Sequence, residues 1–396
     1  DSLWKEEFLI DLEQFVYEYI DDHFHMYPLF IANENYYNLL LDETCDVVDE
    51  IFSSQSYEEE DFDTEFSVYD FIQERLDIYV NCILHTPRGI RTNEDNLPQR
   101  EANYIESIIN KLSNIPQPQQ KTPEWYQFRY NMLTATNIGK LFSSQASKNN
   151  VIVEKCKPYT EINYTNVNVN SSLHWGNKYE PLSIMVYEDK YKTKIKEFGC
   201  IQHSQYKCIG ASPDGINIAK NSERYGRMLE IKNIVNREIT GVPFTNYWIQ
   251  MQIQMEVCNL DVCDFVETRF KEYDNWEDIF VPASVQYRGI ILYFIDTKEN
   301  GPQYVYMPLN VPLNRECIDK WIADVRKTRP ATQQLFQIIS WYLDEFSCVV
   351  VPRNKQWFAA ALPIILGTWN TILKERVEGY EHRVPKKQAI KVIKLD

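Results

Sequence analysis

The chain has 396 residues, of which 44% are hydrophobic and 14% aromatic, so it is long enough for one large domain or two ordinary ones with a sizeable core. It contains no run of about 18 apolar residues, and it begins with an acidic, amphipathic segment. We therefore expect neither a transmembrane helix nor a secretory signal peptide, because a signal peptide needs a basic start and an apolar stretch.

The formal net charge of −16 is unevenly distributed along the chain. Residues 1–100 contain 25 acidic and 5 basic residues, whereas the remaining 296 residues contain 32 acidic and 36 basic residues. The acidic total alone would argue against a nucleic-acid partner, but the mildly basic remainder could bind a polyanion. The acidic part would then face away from that polyanion or bind another partner.

The cysteines and histidines do not form a metal-binding motif. There are nine cysteines, an odd number without a CxxC pair, and most of them lie beside aliphatic residues, as small buried side chains do. This pattern predicts a reduced, intracellular protein without a zinc site. His23 and His25 could be metal ligands, but a position at the surface or at a helix end is favoured for them.

Residues 1–115 are predicted to form an acidic helical domain. Apolar residues recur at helical spacing, with acids between them, in "LWKEEFLIDLEQFVYEYIDDHF", "EFSVYDFIQERLDIYVNCILHT" and "REANYIESIINKLSNI". The polar run "SSQSYEEEDFDTE" between the first two is a loop or a solvated helix start. Residues 116–123 form a proline-rich linker, which places a domain boundary near residue 120.

Residues 124–383 are predicted to form an α/β (α+β) domain with a mixed central sheet flanked by helices. Two helices come first, and Thr134 or Thr136 is the expected N-cap of the second. Strand-like runs follow on either side of a helix, "TNYWIQMQIQMEVCNL", and this order is typical of helices packed on a mixed sheet. Residues 300–345 are interpreted as an insertion with at least one helix, and residues 384–396 as a short basic tail.

Three charged side chains are predicted to meet where two apolar runs end. Residues two apart on a strand share a face, so Glu230 and Lys232 in "LEIK" point the same way, while Leu229 and Ile231 point into the core. If this strand pairs with the preceding one, Asp214 of "SPDG" comes beside Glu230. Two carboxylates and one ammonium would then share a small volume.

Such a cluster suits a divalent cation. Two carboxylates at short range raise each other's pKa unless a cation is present, and Mg²⁺ prefers oxygen ligands, for which Asp214, Glu230 and the carbonyl of Ile231 are suitable. Lys232 could position or deprotonate a metal-bound water, or stabilise developing negative charge. The alternative is a surface hairpin with an ordinary cross-strand salt bridge, because single D…ExK matches also occur by chance.

Four sequence blocks together resemble a known nuclease family. They are "WYQFRYNMLTAT", "WGNKYE", "SPDG" followed by "LEIK", and "YWIQMQIQ". In this order and spacing they resemble the phage lambda exonuclease and YqaJ-type viral recombinase nucleases, which are part of the PD-(D/E)xK superfamily. The resemblance covers roughly residues 121–300, and the last helix more loosely. It implies a PD-(D/E)xK restriction-endonuclease-like core.

The resemblance implies roles for the central charged residues. Asp214, Glu230 and Lys232 match the family's metal- and water-handling triad. Glu180 matches a helix carboxylate that completes the metal site, directly or through water, although a solvent-exposed acid is its ordinary alternative. Arg129 matches an arginine that binds the terminal 5′-phosphate, a task for which its forked guanidinium is suited.

Further residues are implied to contact phosphate or DNA. Thr136 stands where the family usually has serine, and Ser212 matches a serine beside the metal site. Gln250 and Gln252 match a QxQ pair near the scissile bond. On a helix, however, Gln250 and Gln254 share a face and Gln252 points away, so the three cannot play one role.

Other residues are weaker candidates. Trp125, Trp175 and Tyr247 could stack on bases, but packing in the core is favoured for each. A contact with the DNA backbone and a plain solvated surface are both open for Arg353, Trp357, Lys386 and Lys387.

The resemblance implies a Mg²⁺-dependent deoxyribonuclease in which Mn²⁺ can substitute. A 5′→3′ exonuclease that acts on linear double-stranded DNA in viral recombination, replication or repair is favoured. An endonuclease or a flap- or structure-selective nuclease is the alternative within the class, and a non-catalytic DNA- or partner-binding protein on a nuclease fold is the alternative outside it.

The implied partners are double-stranded DNA ends, a single-strand annealing or other recombination protein, and further copies of the chain, with no membrane. The expected location is the host cytoplasm, the nucleus or a viral factory, and not outside the cell. The acidic residues 1–115 could recruit a partner, mediate oligomerisation or mimic DNA, but a solvated helical cap is favoured.

Overall fold

The computed structural model describes most of the predicted second domain and parts of the acidic segment. The described residues are 35–55, 67–78, 100–120, 122–142, 145–158, 172–281, 284–296 and 302–384, together with single residues between 12 and 23. Lys386, Lys387 and His25 lie outside them. None of the described helices is long and apolar enough to cross a membrane, and no disulfide links the eight described cysteines.

The described part of the acidic segment is helical. The helices whose bounds are described are α1 (Tyr36–Gln55), α2 (Val68–Ile78) and α3 (Ala102–Ser113). They bury an apolar face with residues such as Leu40, Ile72 and Ile109. His23 is buried, and its Nδ1 lies 3.6 Å from Oε2 of Glu43, so of the two positions favoured for it the surface is wrong and the helix end stays a prediction.

The second part of the chain contains ten strands and seven α-helices within the described ranges, together with two 3₁₀ helices, Trp276–Phe280 and Glu381–Arg383. The helices are α4 (Pro123–Tyr130), α5 (Ala135–Leu141), α6 (Gln145–Cys156), α7 (Ser172–Tyr191), α8 (Thr245–Cys258), α9 (Arg315–Thr328) and α10 (Lys355–Glu378). The strands are β1 (Leu133–Thr134), β2 (Ile195–Lys196), β3 (Ile201–Gln202), β4 (Ile209–Ala211), β5 (Gly215–Asn217), β6 (Met228–Asn233), β7 (Val262–Glu272), β8 (Arg288–Asp296), β9 (Pro302–Tyr306) and β10 (Gln333–Pro352).

The strands form a mixed sheet, as predicted. A seven-stranded sheet has the order β2-β5-β6-β7-β10-β8-β9, and a small three-stranded sheet has the order β1-β4-β3. Strands β6 and β7 are parallel, and the other neighbours in the large sheet are antiparallel. The helices that precede and follow β6 pack on this sheet, so the predicted α+β architecture is confirmed.

The residues of β6 explain how the strand is covered on both faces. Leu229 and Ile231 belong to a buried apolar cluster with Tyr187 of α7. Glu230 and Lys232 point to the opposite face, towards α8. Because α8 is itself buried along most of its length, the charged face of β6 lies largely inside the protein rather than in an exposed hairpin.

Two local predictions have different outcomes. Thr134 is the N-cap of α5, and its hydroxyl accepts a hydrogen bond from the backbone N–H of Asn137, as predicted for one of two threonines. Residues 333–345, interpreted as part of an insertion, form the first part of β10, which lies between β7 and β8. The predicted helix of that segment is present as α9. The insertion and the domain boundaries stay predictions.

The described end of the acidic segment is tied to the second part of the chain. Arg100 forms an ion pair with Asp261 and donates to the carbonyl oxygen of Asn259 at 3.0 Å. On α3, Glu106 pairs with Lys220 at the surface. These contacts place α3 against the strands and loops of the second part.

Candidate active site

The pairing of β5 with β6 brings Asp214 to the centre of β6. The two strands are antiparallel, with Gly215 opposite Leu229, so Asp214 lies at the start of β5, next to the middle of β6. Its Oδ2 atom accepts a hydrogen bond from the backbone N–H of Ile231 at 2.6 Å. The predicted position of Asp214, beside the strand that carries Glu230 and Lys232, is confirmed.

Glu230 and Lys232 meet on one face of β6, as the alternation of side chains predicts. The Nζ atom of Lys232 contacts Oε1 of Glu230. The Glu230 side chain is fully buried, whereas 22% of the Lys232 side chain is exposed. This ion pair is therefore not the exposed cross-strand salt bridge that the alternative interpretation requires.

Helix α8 supplies two amides that hold the carboxylate of Glu230. Gln250 donates its Nε2–H to Oε1 at 2.8 Å, and Gln254 donates to Oε2 at 2.7 Å. One turn of helix separates the two glutamines, so both face β6. Because both carboxylate oxygens accept hydrogen bonds, the orientation of Glu230 is fixed.

Gln252 lies on the other side of α8, as helical geometry predicts. It is buried, its Nε2 donates to the carbonyl oxygen of Pro352 at 3.0 Å, and its Oε1 accepts from the backbone N–H of Asn354 at 2.6 Å. The structure therefore does not bring Gln252 to the acidic cluster. It anchors the start of α10 instead.

Burial and like charge act together on Asp214. Burial raises the pKa of Asp214 well above its usual value, and the charges of Glu230 and Glu180 raise it further, while Lys232 opposes the rise. Burial alone would lower the pKa of Lys232, but the carboxylates of Glu230 and Asp214 raise it above its usual value. The cluster thus concentrates negative charge that a single ammonium only partly compensates.

Glu180 belongs to the same electrostatic environment. It lies half-buried on α7, and its charge reaches Asp214. Asn233, the last residue of β6, holds the helix at this position. Its Nδ2 donates a hydrogen bond to the carbonyl oxygen of Gly176 at 3.0 Å. Asn233 therefore links the strand of Glu230 to the helix of Glu180.

Arg129 lies beside Ser212. Its guanidinium donates to the Ser212 hydroxyl at 3.2 Å and lies over the ring of Trp125, 4.4 Å from the centroid. The carbonyl oxygen of Ser212 is 3.4 Å from Nε2 of Gln254, which also binds Glu230. This chain of contacts connects Arg129 to the acidic cluster. Thr136 is exposed in the first turn of α5.

The weaker candidates have structural contacts. Trp357 is buried and packs edge-on against Trp248. Arg353 forms an ion pair with Glu256 and donates to Asn259, so its guanidinium is engaged within the protein. Trp175 packs against Tyr179 in a second apolar cluster. For Trp175 the packing role that the sequence favours agrees with these contacts. Trp357 is buried, so the solvated surface left open for it is wrong, and its indole lies in the core rather than where DNA could reach it.

Gln254 and Lys155 are site residues that the sequence analysis did not select. The i, i+4 spacing from Gln250 already indicated that Gln254 shares its face. Lys155 of α6 is 5% exposed and donates to the backbone oxygen of Arg129 at 2.8 Å. Burial lowers the pKa of Lys155 to about 8, and the charges of Arg129 and Arg376 contribute. Lysine is rarely buried, so its residue type gave no sequence signal for the burial of Lys155.

The donor chemistry of the cluster fits a divalent cation that prefers oxygen. Asp214, Glu230 and Glu180 provide carboxylates, and Ile231 provides a backbone carbonyl next to Glu230. Within the described ranges, no group of three or more His, Cys, Asp or Glu side chains is already arranged around one metal position. Glu230 is engaged by Lys232, Gln250 and Gln254, so an ion would have to share or replace one of these contacts.

Comparison with known proteins finds a family match within the second part of the chain. Residues 124–261 match the YqaJ-like viral recombinase domain, which confirms the resemblance inferred from the four sequence blocks. The chain is 30% identical over 318 residues to the uncharacterized protein R354 of Acanthamoeba polyphaga mimivirus. That alignment covers 69% of this chain and 56% of the relative, so the chain spans only about half of the relative's length.

Two solved structures are similar over most of their own length. The alkaline exonuclease LHK-Exo from Laribacter hongkongensis is 18% identical, with a TM-score of 0.36, and the match covers 66% of this chain and 95% of that one. A phage related exonuclease from Haemophilus somnus 129PT is 12% identical, with a TM-score of 0.33, and the match covers 62% and 96%.

Proposed function

This chain carries a YqaJ-like viral recombinase domain at residues 124–261, and from this premise we propose that it is a metal-dependent deoxyribonuclease. The proposed activity is 5′→3′ exonucleolytic hydrolysis of linear double-stranded DNA, in viral recombination, replication or repair. The observation that carries the proposal is the buried Glu230, held by Gln250, Gln254 and Lys232 beside Asp214. A buried cluster of two carboxylates and one ammonium has little value for stability alone.

The proposed metal is Mg²⁺, for which Mn²⁺ could substitute. Asp214, Glu230 and the carbonyl of Ile231 would hold it, with Glu180 contributing directly or through water. When bound, such an ion lowers the pKa of a coordinated water and neutralises charge on a phosphodiester. The raised pKa of Asp214 supports this assignment, because a nearby cation would relieve the repulsion between carboxylates.

The remaining residues would bind and orient the substrate. Lys232, as an ammonium, would orient the attacking water or stabilise negative charge on the phosphate. Gln250 and Gln254 keep the Glu230 carboxylate in position. Arg129 and Ser212, which are in contact, would bind a DNA phosphate, and the exposed Thr136 would add a hydroxyl contact.

End-labelled linear duplex DNA tests the activity. With Mg²⁺, the wild type should release 5′-labelled mononucleotide early, and the 3′ label late. Glu230→Gln and Lys232→Ala should lose this release, whereas Lys271→Ala, a control on the exposed end of the neighbouring strand β7, should retain it. Retained activity in Glu230→Gln would refute the site assignment.

Other products would identify the alternative functions. Nicking of circular DNA that Glu230→Gln abolishes would indicate an endonuclease, and cleavage restricted to branched duplexes would indicate a structure-selective nuclease. DNA binding without cleavage in Mg²⁺ or Mn²⁺ would indicate a non-catalytic binding protein. The buried, fully hydrogen-bonded Glu230 favours the catalytic alternatives.

The proposed partners follow from the proposed activity. They are double-stranded DNA ends, a single-strand annealing or other recombination protein that takes the exposed strand, and further copies of this chain. An enzyme of this kind would act inside the cell, in the host cytoplasm, the nucleus or a viral factory. The contacts of Arg100 and α3 with the second part of the chain favour a helical cap as the role of the acidic segment.

A further inference from the structure

The connection between β6 and α8 presents an exposed aromatic ring next to the acidic cluster. Phe244 is the N-cap residue of α8, and 48% of its surface is exposed. Val235, in the same connection, is 42% exposed. Large apolar side chains in water cost free energy, and this connection leaves two of them exposed in the stretch that follows Lys232.

The ring of Phe244 is held in place by its neighbours. It stacks with Tyr247, with ring centroids 5.8 Å apart and an interplanar angle of 21°. The guanidinium carbon of Arg237 lies 4.6 Å from the Phe244 centroid, and Arg237 is itself fixed by an ion pair with the buried Glu267. A ring supported in this way cannot turn inward to bury its exposed part.

The same stack reaches Lys232. The Nζ atom of Lys232 lies 4.7 Å from the centroid of the Tyr247 ring. Lys232, Tyr247, Phe244 and Arg237 therefore form a continuous row, with a cation at each end and two aromatic rings between them. Lys232, at one end of the row, is the proposed catalytic ammonium, and only the Tyr247 ring lies between it and the exposed ring of Phe244.

We propose that Phe244 packs against a nucleobase of the DNA strand whose phosphate binds at the Lys232 end of the row. The proposal rests on the proposed deoxyribonuclease function and assigns a base-binding position within that site. Every nucleobase has an apolar face, and contacts between bases and aromatic rings stabilise single strands without regard to sequence. The flanking cations would attract the phosphates on either side of that base.

The chemistry of this connection favours a nucleobase over a protein partner. The connection exposes two large apolar side chains, Val235 and Phe244, too few for the apolar core of a protein–protein interface. The position of Phe244 in line with Lys232 places any bound group next to the phosphate that the site would cleave. A single flat base matches this size and position.

Abasic substrates test the proposal in the full-length protein. The duplexes carry one abasic nucleotide at successive positions from the 5′ end. The wild type should cleave one of these duplexes about tenfold more slowly than the intact duplex. Phe244→Ala should cleave the intact duplex and the sensitive abasic duplex at the same reduced rate. Phe244→Trp should again cleave the intact duplex faster than the abasic one. The control Phe336→Ala, which removes an even more exposed phenylalanine on β10 (65%), should behave as the wild type.

A binding measurement separates this proposal from the nuclease proposal. 2-Aminopurine at the sensitive position should change its fluorescence on binding to the wild type without metal, and this change should be lost in Phe244→Ala and kept in Phe336→Ala. Cleavage without any Phe244-dependent difference, in rate or fluorescence, would overturn the base contact alone. A Phe244-dependent fluorescence change without cleavage would retain the contact and overturn the nuclease.

Discussion

Gln254 donates its side-chain amide to Oε2 of Glu230 at 2.7 Å, and this hydrogen bond joins α8 to the centre of β6. Gln250, one turn earlier, donates to the other oxygen at 2.8 Å. The two glutamines therefore fix a buried carboxylate from one side, while Lys232 contacts it from the strand. A buried anion with defined donors is held in a single orientation.

Replacement of Gln254 by leucine should reduce cleavage without unfolding the protein. A hydrogen bond to a charged group contributes about 1.5–3 kcal/mol, so we expect kcat to fall by roughly 10- to 100-fold. The matched control is Gln252→Leu on the opposite face of the same helix. It should lower the melting temperature, because Gln252 binds the backbone of Pro352 and Asn354, and leave kcat nearly unchanged. An equal loss of kcat in both variants would contradict this division.

Asp214→Asn should stabilise the metal-free protein at neutral pH. Burial first, and then Glu230 and Glu180, raise the pKa of Asp214, so its ionised form is costly in the fold. A group with a raised folded pKa loses stability as the pH rises through that value. The gain in melting temperature should therefore disappear at low pH, where the carboxyl group is protonated in both states. The amide oxygen can still accept from Ile231.

Saturating Mg²⁺ should stabilise the wild type but not Asp214→Asn. An ion that binds only the folded state raises the melting temperature, so the wild type should gain stability and Asp214→Asn should not. Asp319→Asn, which removes an exposed acid on α9, should respond to Mg²⁺ as the wild type does. An equal Mg²⁺ response in all three proteins would exclude Asp214 as a ligand.

The geometry of the acidic cluster could be predicted because it depends on short-range periodicity. Two-residue alternation places Glu230 and Lys232 on one face, and a 3.6-residue period places Gln250 and Gln254 together. Both relations are found as contacts. Asp214 required one further assumption, that consecutive strands pair, and β5 and β6 do so.

Long-range relations could not be predicted in the same way. Strand β10 begins at Gln333 and lies between β7 and β8 in the sheet. From the sequence, its first residues were interpreted as part of an insertion rather than as a strand of the central sheet. Its place depends on cross-strand partners far away in sequence. The buried Lys155 likewise contacts Arg129 and Arg376, which come from α4 and α10. No local pattern around a residue encodes such neighbours.

Lys155→Met should stabilise the protein at neutral pH and not at high pH. Burial lowers the pKa of Lys155 to about 8, so folding carries a cost of about 3 kcal/mol while the group is charged in both states. Loss of the hydrogen bond to the Arg129 carbonyl offsets about 1 kcal/mol, which leaves a net gain of roughly 2 kcal/mol. The sign follows from linkage, because the unfolded chain binds the Lys155 proton more tightly than the folded protein does. The stability of the wild type therefore rises between about pH 8 and pH 10, and the advantage of Lys155→Met vanishes over the same range.

Denaturant unfolding at several pH values measures this effect. Lys157→Met, two residues later and exposed, is the control and should show no comparable gain at neutral pH. A gain for Lys155→Met that is the same at neutral and at alkaline pH would show that packing, and not the charge, is responsible.

Asn233 connects the two carboxylate-bearing elements through a buried polar cluster. Its Oδ1 accepts hydrogen bonds from the hydroxyls of Ser183 and Thr268, each at 2.7 Å. Its Nδ2 donates to the carbonyl oxygen of Gly176 on α7, one turn before Glu180. The position of Glu180 relative to Glu230 therefore depends on this side chain.

Asn233→Ala should raise the Mg²⁺ concentration needed for half-maximal cleavage. It removes three hydrogen bonds and leaves buried hydroxyls with fewer partners, so we also expect a loss of about 2–3 kcal/mol in the free energy of unfolding. Asn354→Ala is the control, because Asn354 caps α10 through the N–H of Trp357 and is not part of the acidic cluster. It should lower stability by about 1 kcal/mol and leave the Mg²⁺ dependence unchanged. If Asn233→Ala lost stability but kept the wild-type Mg²⁺ dependence, Asn233 would be structural only and Glu180 would not depend on it for its position.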